Sequence, residues 1–196
     1  MLLSSNDFGK ALRKICWGYA FIHIDLSLIG LDVLPSWIGY LLILFAIGTI
    51  AREEPSAALL RPFAIALSLI SAAVFLCELL GVELDRYGIL SVFHSLMWLY
   101  LQFQLLTNIA EMAKRRSYPK TKRILILRTC LALLYVIPAA LKLFFDERWF
   151  VYAFAILYLF LVIWVSTVLI SLRIYLWEHD EALDEMAERG ELAEEH

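Results

Sequence analysis

The sequence has few cysteines and lacks the residue spacings that mark redox, metal or nucleotide sites. Cys16, Cys77 and Cys130 lie far apart in apolar stretches, so neither a disulfide framework nor a CxxC site is predicted. No HxxxH or HExxH pair, no Gly-rich phosphate loop and no nucleophile motif occurs. These absences argue against the familiar enzyme classes, and we expect neither a metal nor a cofactor.

Charge is also scarce for a chain of this length. Charged residues make up 19% of the 196 residues, whereas hydrophobic residues make up 62%. An ordinary soluble domain is roughly 45–50% apolar. A short chain cannot bury such an excess in one water-soluble core, because small domains leave much of their surface exposed. The lipid bilayer is therefore the expected solvent and partner.

Six apolar stretches are candidates for crossing a hydrocarbon core of about 30 Å, which takes about 20 helical residues. They cover residues 11–26, 35–51, 62–82, 88–112, 124–144 and 149–177. The connections after the third and fifth stretches are short, so neighbouring helices should pack antiparallel. The predicted fold is all-α: a polytopic transmembrane bundle of six helices arranged as three antiparallel hairpins. It forms one domain, residues 1–177, followed by an acidic tail, residues 178–196.

The distribution of basic residues predicts the orientation of this bundle. With the N-terminus inside, fourteen of the seventeen Lys and Arg residues fall on the cytoplasmic side and only Arg86, Lys142 and Arg148 fall outside. Such an excess on one side marks the cytoplasmic face of a membrane protein. We therefore expect both termini in the cytoplasm of a cell membrane. The first stretch, interrupted by His23 and Asp25, is interpreted as a retained helix and not a cleaved signal.

Several ionisable or polar side chains fall inside the predicted spans. Each charge there costs roughly 2.5–3.5 kcal/mol to insert, so such residues are candidates for function. Helical spacing places Ser68, Ser71 and Glu78 on one stripe, and His94, Trp98 and Gln102 on another. The candidate ligand-binding residues are Glu78, His94, Asp25, Asp32, His23, Lys142, Trp98 and Gln102. They could line a pocket open to the outside, or they could form structural ion pairs, for example between Glu78 and His94.

The connection of residues 26–34 is unusually apolar for a loop. Its leucine and isoleucine side chains avoid water, so it could fold back over the bundle as a lid. The alternative is a plain turn that leads into the helix beginning near Pro35. Both interpretations remain open from the sequence.

Two charged segments lie on the predicted cytoplasmic side. The loop of residues 114–123 is strongly basic, and its candidate lipid-headgroup ligands are Arg115, Arg116, Lys120, Lys122 and Arg123. The tail of residues 178–196 holds nine of the twenty acidic residues. It could continue the sixth helix and dock on a protein partner or on the basic loop, or it could be solvated. A nucleic-acid partner is not expected, and homo-oligomerisation remains open.

One stretch resembles a known family pattern. Trp17-Gly18, Ile24-Asp25 and the run GLDVLPSWIGYLLI at residues 30–43 are similar to a motif in small multi-pass membrane proteins of Gram-positive, clostridia-like bacteria. Ser36 and Trp37 stand where those proteins often have Asp and Phe. The resemblance covers about the first quarter of the chain. It implies a membrane location and a family, and it brings no known activity.

Three hypotheses for function follow from these patterns. The first is a membrane-embedded binding or transport component with an outward pocket for a small cationic or zwitterionic solute. The second is a non-catalytic accessory or regulatory protein that holds a partner through its tail, its basic loop or its intramembrane faces. The third is a membrane enzyme that uses Glu78 or His94 as an acid or base. A pocket filled by the protein's own side chains would favour the second over the first.

Overall fold

The computed structural model describes residues 3–23, 27–28, 31–32, 35–80, 88–141 and 148–188. This part of the chain forms six α-helices, a 3-10 helix at Pro55–Leu60 and a two-residue antiparallel hairpin. The helices are α1 Ser5–His23, α2 Ser36–Ile50, α3 Arg61–Leu79, α4 Ile89–Arg115, α5 Thr121–Leu141 and α6 Arg148–Glu188, and the strands are β1 Ser27–Leu28 and β2 Leu31–Asp32. The predicted helical class is confirmed.

The helices form a closed bundle in which each helix packs against its neighbours along the chain. α6 also packs against α1, which closes the bundle. Successive helices run in opposite directions, as contacts at the two ends establish. At one end, Leu3 before α1 and Glu53 after α2 meet Arg116 after α4. At the other end, His23 of α1 contacts Tyr158 of α6.

Two glycines allow α1 and α2 to cross closely. A Cβ atom placed on Gly39 would lie 2.6 Å from the carbonyl oxygen of Gly18, and one on Gly18 would lie 2.9 Å from the carbonyl oxygen of Gly39. Neither backbone could move aside without separating the helices. Small residues at a crossing let two helix backbones approach, which is a common way of packing helices in membranes. Both glycines belong to the stretch that resembles the clostridia-like family.

Buried and exposed apolar residues lie on opposite faces of the helices. α4 supplies much of the core, including Leu101, Leu105 and Ile109, each 0% exposed. Large apolar side chains also cover the outside of the bundle, among them Trp17, Phe45, Leu69, Leu76, Phe93, Leu96, Leu133, Phe160 and Trp164. An apolar patch of this extent is rare on soluble monomers and is typical of surfaces that contact membranes or other proteins.

Two helical segments of the described chain are long and apolar enough to cross a membrane. They are Pro55–Cys77, which combines the 3-10 helix with most of α3, and Tyr152–His179 within α6. α2 is apolar but shorter. Length and apolarity thus support membrane insertion at two of the six predicted spans. The six-span arrangement itself stays a proposal.

The structure also bears on the two segments whose conformation the sequence left open. Within residues 26–34, Ser27 pairs with Asp32 and Leu28 with Leu31 in the β1–β2 hairpin. This pairing agrees with both the lid and the turn hypotheses, so the choice between them stays a prediction. α6 continues past the predicted end of its span at Trp177 as far as Glu188, so the first part of the acidic tail is an extension of the sixth helix.

Candidate functional site

Aromatic and polar side chains from five helices meet at one end of the bundle. The group, called here the aromatic cluster, consists of Tyr19, His23, Tyr40, His94, Trp98, Gln102, Tyr135 and Tyr158. Its members come from α1, α2, α4, α5 and α6. No Lys or Arg belongs to it. The cluster therefore brings hydrogen-bonding groups from five helices into the core.

Trp98 is the centre of the aromatic cluster and is only 3% exposed. The ring centroids of Tyr19, His23 and Tyr40 lie 5.8, 5.6 and 5.5 Å from its own, each in an edge-to-face arrangement. Such tilted pairs are favourable because the positive edge of one ring meets the negative face of another. Each pair also joins α4 to α1 or α2, so the cluster fixes the relative positions of these helices.

A short chain of hydrogen bonds runs through the cluster. The indole N–H of Trp98 donates to the hydroxyl of Tyr158 at 3.5 Å, and this hydroxyl donates to Oε1 of Gln102 at 3.2 Å. On the other side, the hydroxyl of Tyr40 lies 3.4 Å from Nε2 of His94. Buried polar groups normally find such partners, since an unpaired one costs about 1–3 kcal/mol.

Three polar atoms of the cluster have no such partner within the described chain. They are the hydroxyl oxygen of Tyr19, Nε2 of His23 and Nε2 of Gln102, and all three are inaccessible to solvent. Tyr19 and His23 are one helical turn apart on α1 with stacked rings. Gln102 on α4 accepts from Tyr158, whose ring contacts His23. Three unsatisfied polar atoms in one cluster indicate either a role beyond packing or a set of bound polar groups.

The structure brings four of the eight predicted ligand-binding residues together: His23, His94, Trp98 and Gln102. Asp25 and Lys142 lie outside the described residues, as do the side chains of Asp32 and Glu78. The predicted pairing of Glu78 with His94 or Lys142 therefore stays a prediction. The stripe that precedes Glu78 on α3 does face the protein, because Ser68 and Ser71 are buried and Ser68 donates to the carbonyl oxygen of Trp37.

Sequence reasoning missed Tyr19 and Tyr158, which are central to the cluster. Tyrosine was not treated as a buried polar residue, although each of these two lies on a stripe that the sequence contains. Tyr19 is four residues before His23, and Tyr158 precedes Val162, Val165 and Leu169 at helical spacing. Those three valine and leucine residues are buried, so the stripe indicates the inward face of α6.

A second polar arrangement occupies the opposite, charged end of the bundle. The guanidinium of Arg116 donates to both carboxylate oxygens of Glu53, at 2.8 and 2.6 Å, and to the carbonyl oxygen of Leu3 at 3.0 Å. The amide of Leu3 donates to the same carboxylate at 3.0 Å. The side chains of Arg116 and Glu53 are 9% and 2% exposed. This group of three residues, the Glu53–Arg116 clamp, ties the segment before α1 to α2 and α4.

The pKa of Glu53 reflects this arrangement. Burial acts to raise the pKa of the carboxyl group, but hydrogen bonds from Arg116 and the Leu3 amide, with the charges of Arg116 and Arg115, outweigh burial and hold it below the usual value of 4.5. The charged form of Glu53 is thus the one that the fold favours.

The five predicted lipid-headgroup residues fall into two groups. Arg116 is enclosed in the Glu53–Arg116 clamp, and Arg115 pairs with Glu54 at 2.6 Å. Both arginines are therefore used to join α4 to the turn after α2. Lys120, Lys122 and Arg123 are exposed, and the hypothesis of headgroup contact applies best to these three.

Comparisons with protein-family models, with curated proteins and with solved structures find no match for this chain. Among the residues that the structure describes, no three His, Cys, Asp or Glu side chains come close enough together to hold a metal ion. The interpretation of the site therefore depends on its own geometry.

Proposed function

We propose that the chain is a polytopic membrane protein in which all six helices cross the bilayer and both termini are cytoplasmic. The apolar outer surface of the bundle supports this proposal, as does the gathering of Glu53, Glu54, Arg115 and Arg116 at one end. The exposed basic residues Lys120, Lys122 and Arg123 lie on the loop at that same end. The resemblance of residues 30–43 to clostridia-like membrane proteins also remains a proposal about family.

Cysteine labelling tests this topology. In a variant lacking the three native cysteines, a cysteine at Tyr87 should react with an impermeant thiol reagent added to whole cells. A cysteine at Ser117 should react only after the membrane is opened. The reverse pattern would invert the proposed orientation, and equal labelling of both positions in intact cells would reject the six-span arrangement.

We further propose that the protein binds a small polar solute at the aromatic cluster, as a membrane-embedded binding or transport component. The observation that supports this function is the set of three buried polar atoms without a partner, on Tyr19, His23 and Gln102. Each unsatisfied group is destabilising. Two further atoms of this kind, on Asn108 and Arg128, lie outside the cluster, so the proposal depends on the gathering of three in one cluster. A bound solute with hydrogen-bonding groups would supply the missing partners.

The cluster's composition favours a cationic or zwitterionic solute. Tyr19, His23, Tyr40 and Tyr158 surround Trp98 with aromatic rings, and no basic side chain of the described chain competes for their faces. Aromatic rings attract organic cations through the negative potential of their faces. Glu78, Asp25 and Asp32 are the predicted carboxylates that would add to this preference.

Native mass spectrometry of the gently solubilised protein tests the proposal. The informative variant is His23→Phe, which keeps a ring against Trp98 and Tyr158 but removes the unpartnered nitrogen. His179→Phe is the matched control, because it makes the same substitution on the exposed surface of α6, where His179 stacks on Tyr175. Thermal unfolding in detergent establishes that both variants are folded.

We expect a small molecule on the wild-type protein and on His179→Phe, and its loss from His23→Phe. The mass of that molecule would identify its chemical class. A small molecule held equally by all three proteins would contradict binding at His23. Absence of any small molecule from the wild-type protein would favour the second function considered next.

The length of α6 favours a second candidate, a non-catalytic accessory protein that holds a partner. Its 41 residues make a helix about 60 Å long at about 1.5 Å per residue, twice the hydrocarbon thickness of about 30 Å. The part beyond Trp177 is rich in acidic residues and would project from the charged end. Such a projecting acidic helix suits a basic surface on a soluble or membrane partner.

Truncation distinguishes this function from solute binding. A chain ending at His179 removes the acidic part of α6 and leaves the aromatic cluster intact. The accessory function predicts that a protein purified with the full chain at low salt is lost on truncation or at high salt. A partner retained by the truncated chain would contradict docking through the tail.

A further inference from the structure

A groove runs between α1 and α6 on the outside of the bundle. It has a volume of about 530 Å³ and is mainly apolar, with walls that include Leu12, Trp17, Ala20, Leu159, Ile163 and Ile170. Small-molecule sites commonly have volumes of about 300–1,000 Å³. Cys16 of α1 contacts the carbonyl oxygen of Ser166 at 3.8 Å and marks a point where the two helices meet. The groove is therefore large enough to hold part of an elongated apolar ligand.

A polar cavity of about 350 Å³ lies next to the groove at the charged end. Arg13 and Arg173 line both spaces, so the apolar groove and the polar cavity are adjacent. Lys10 also lines the polar cavity and lies 3.9 Å from Asp7, a loose surface contact. No carboxylate of the described chain forms an ion pair with Arg13 or Arg173. Among the residues whose side chains are described, both guanidinium groups at the mouth of the groove are thus without a carboxylate partner.

The position of this mouth fits the membrane interface. Trp177, which is 67% exposed, lines the same polar cavity as Arg13 and Arg173. Tryptophan is enriched where hydrocarbon gives way to headgroups, because its ring is apolar and its N–H is polar. Ser5 and Asn6 complete the cavity and add polar groups that suit a headgroup.

We propose that the α1–α6 groove is a binding site for one anionic phospholipid, with the headgroup phosphate at Arg13 and Arg173 and an acyl chain in the groove. Arginine pairs with phosphate through two parallel N–H donors, so two arginines at one cavity favour an anionic headgroup over a zwitterionic one.

This site is separate from the 114–123 loop, in which Arg115 and Arg116 pair with Glu54 and Glu53. Tyr19 and His23 of the aromatic cluster also line the groove. The inference depends on the proposed membrane location and not on solute binding, and the variants used below to test it leave both residues unchanged.

Lipid titration followed by native mass spectrometry tests the charge of the headgroup site. Phosphatidylglycerol or phosphatidylcholine is added at equal concentrations to the delipidated protein in detergent, and the apparent Kd of the first bound lipid is measured. The test variant is Arg13→Gln/Arg173→Gln. The control Arg52→Gln/Arg61→Gln removes the same charge from exposed positions outside the groove and outside the 114–123 loop.

A second pair of variants tests the apolar part of the groove. Thr167→Phe fills the groove, whereas Thr129→Phe places the same ring on the exposed face of α5. The two threonines are otherwise matched, because each is exposed and donates to the carbonyl four residues earlier, Ile163 or Leu125. Both variants keep every basic residue, so a difference between them reports on chain binding alone.

We expect phosphatidylglycerol to bind the wild-type protein more tightly than phosphatidylcholine does. The arginine double variant should weaken phosphatidylglycerol binding about 30-fold, the effect of two basic residues on an anionic headgroup. Thr167→Phe should also weaken it, and both controls should leave it near the wild-type value. Melting temperatures without lipid separate these effects from unfolding.

Several results would overturn the lipid site. They are equal binding of the two lipids, equal loss in the two charge variants, and displacement of the lipid by inorganic phosphate alone. A mass of two chains with no bound lipid would assign the groove to a second copy. Failure of the membrane proposal itself would be recognised separately, because the protein would then stay monodisperse without detergent.

Discussion

At the charged end of the bundle, Glu53 and Arg116 act as partners for each other and for Leu3, whereas at the opposite end Tyr19, His23 and Gln102 each bury a polar atom without a partner. The first arrangement is complete within the protein and joins three segments of the chain. The second is incomplete and is surrounded by aromatic rings. The proposed solute binding at the aromatic cluster depends on this difference.

Breaking the Glu53–Arg116 clamp should have the largest effect on stability. Arg116→Met leaves the Glu53 carboxylate buried without its main partner, and removal of one partner from a buried ion pair costs about 3–5 kcal/mol. We expect a loss near the lower limit, about 3 kcal/mol, because the clamp lies at the end of the bundle. The measurement is the free energy of unfolding in detergent.

The neighbouring pair provides the control. Glu54→Gln weakens the exposed pair with Arg115, 46% of whose side-chain surface is accessible, so its effect should stay below about 1 kcal/mol. Equal losses for Arg116→Met and Glu54→Gln would contradict the special role of the clamp.

Adding a methyl group at the close α1–α2 crossing should have the next largest effect on stability. Gly39→Ala would place a methyl group 2.6 Å from the carbonyl oxygen of Gly18, and overpacking of this kind costs about 1–3 kcal/mol. Gly48→Ala on the same helix meets only the guanidinium of Arg61, at an ordinary contact distance of 4.0 Å, so it should be neutral or slightly stabilising. Thermal unfolding of the two variants should move in different directions, and a similar shift for both would reject the close crossing.

A smaller loss is expected at the aromatic cluster. Tyr158→Phe removes the hydroxyl that accepts from Trp98 and donates to Gln102, which should cost about 1–2 kcal/mol. Tyr135→Phe keeps the ring, whose centroid lies 6.0 Å from that of Tyr158, and should cost less than about 0.5 kcal/mol. Unfolding experiments on the ligand-free protein measure both values. If the two variants lose equal stability, the hydrogen-bond chain contributes nothing.

The smallest expected effect is a pH dependence that belongs to the charged end. Because the fold holds the pKa of Glu53 below 4.5, the clamp contributes its full stability above that pH and loses it as the pH falls through the lowered value. Wild-type protein should therefore become less stable below about pH 4.5. In Glu53→Gln, the free energy of unfolding should fall less steeply as the pH is lowered below this value. If Glu53→Gln loses stability at low pH as much as the wild-type protein does, other titratable groups cause the acid sensitivity.

Much of the fold could be predicted from the sequence, because long hydrophobic runs in an apolar chain indicate helices. All six predicted spans overlap an observed helix, and the inward stripe of Trp98 and Gln102 on α4 is confirmed by burial. The short β1–β2 hairpin was not predicted, because four residues with two ladder pairs leave almost no periodic pattern.

The site was less accessible because it depends on which helices are neighbours. Helical spacing placed His94, Trp98 and Gln102 on one inward stripe, but it could not show that α1 and α6 bring Tyr19 and Tyr158 against Trp98. Nor could it separate Arg116 from the exposed basic residues of the same loop, since only its contact with Glu53 distinguishes it. Partner choice across the bundle is a property of three-dimensional packing.

An experimental density map of the protein purified in native lipid tests the central claim most directly. Binding at the aromatic cluster predicts density for a non-protein molecule within about 3.2 Å of Tyr19 Oη, His23 Nε2 and Gln102 Nε2. If those three atoms instead contact only side chains of the same protein, with no additional density, the cluster is a structural core and the solute-binding function is wrong.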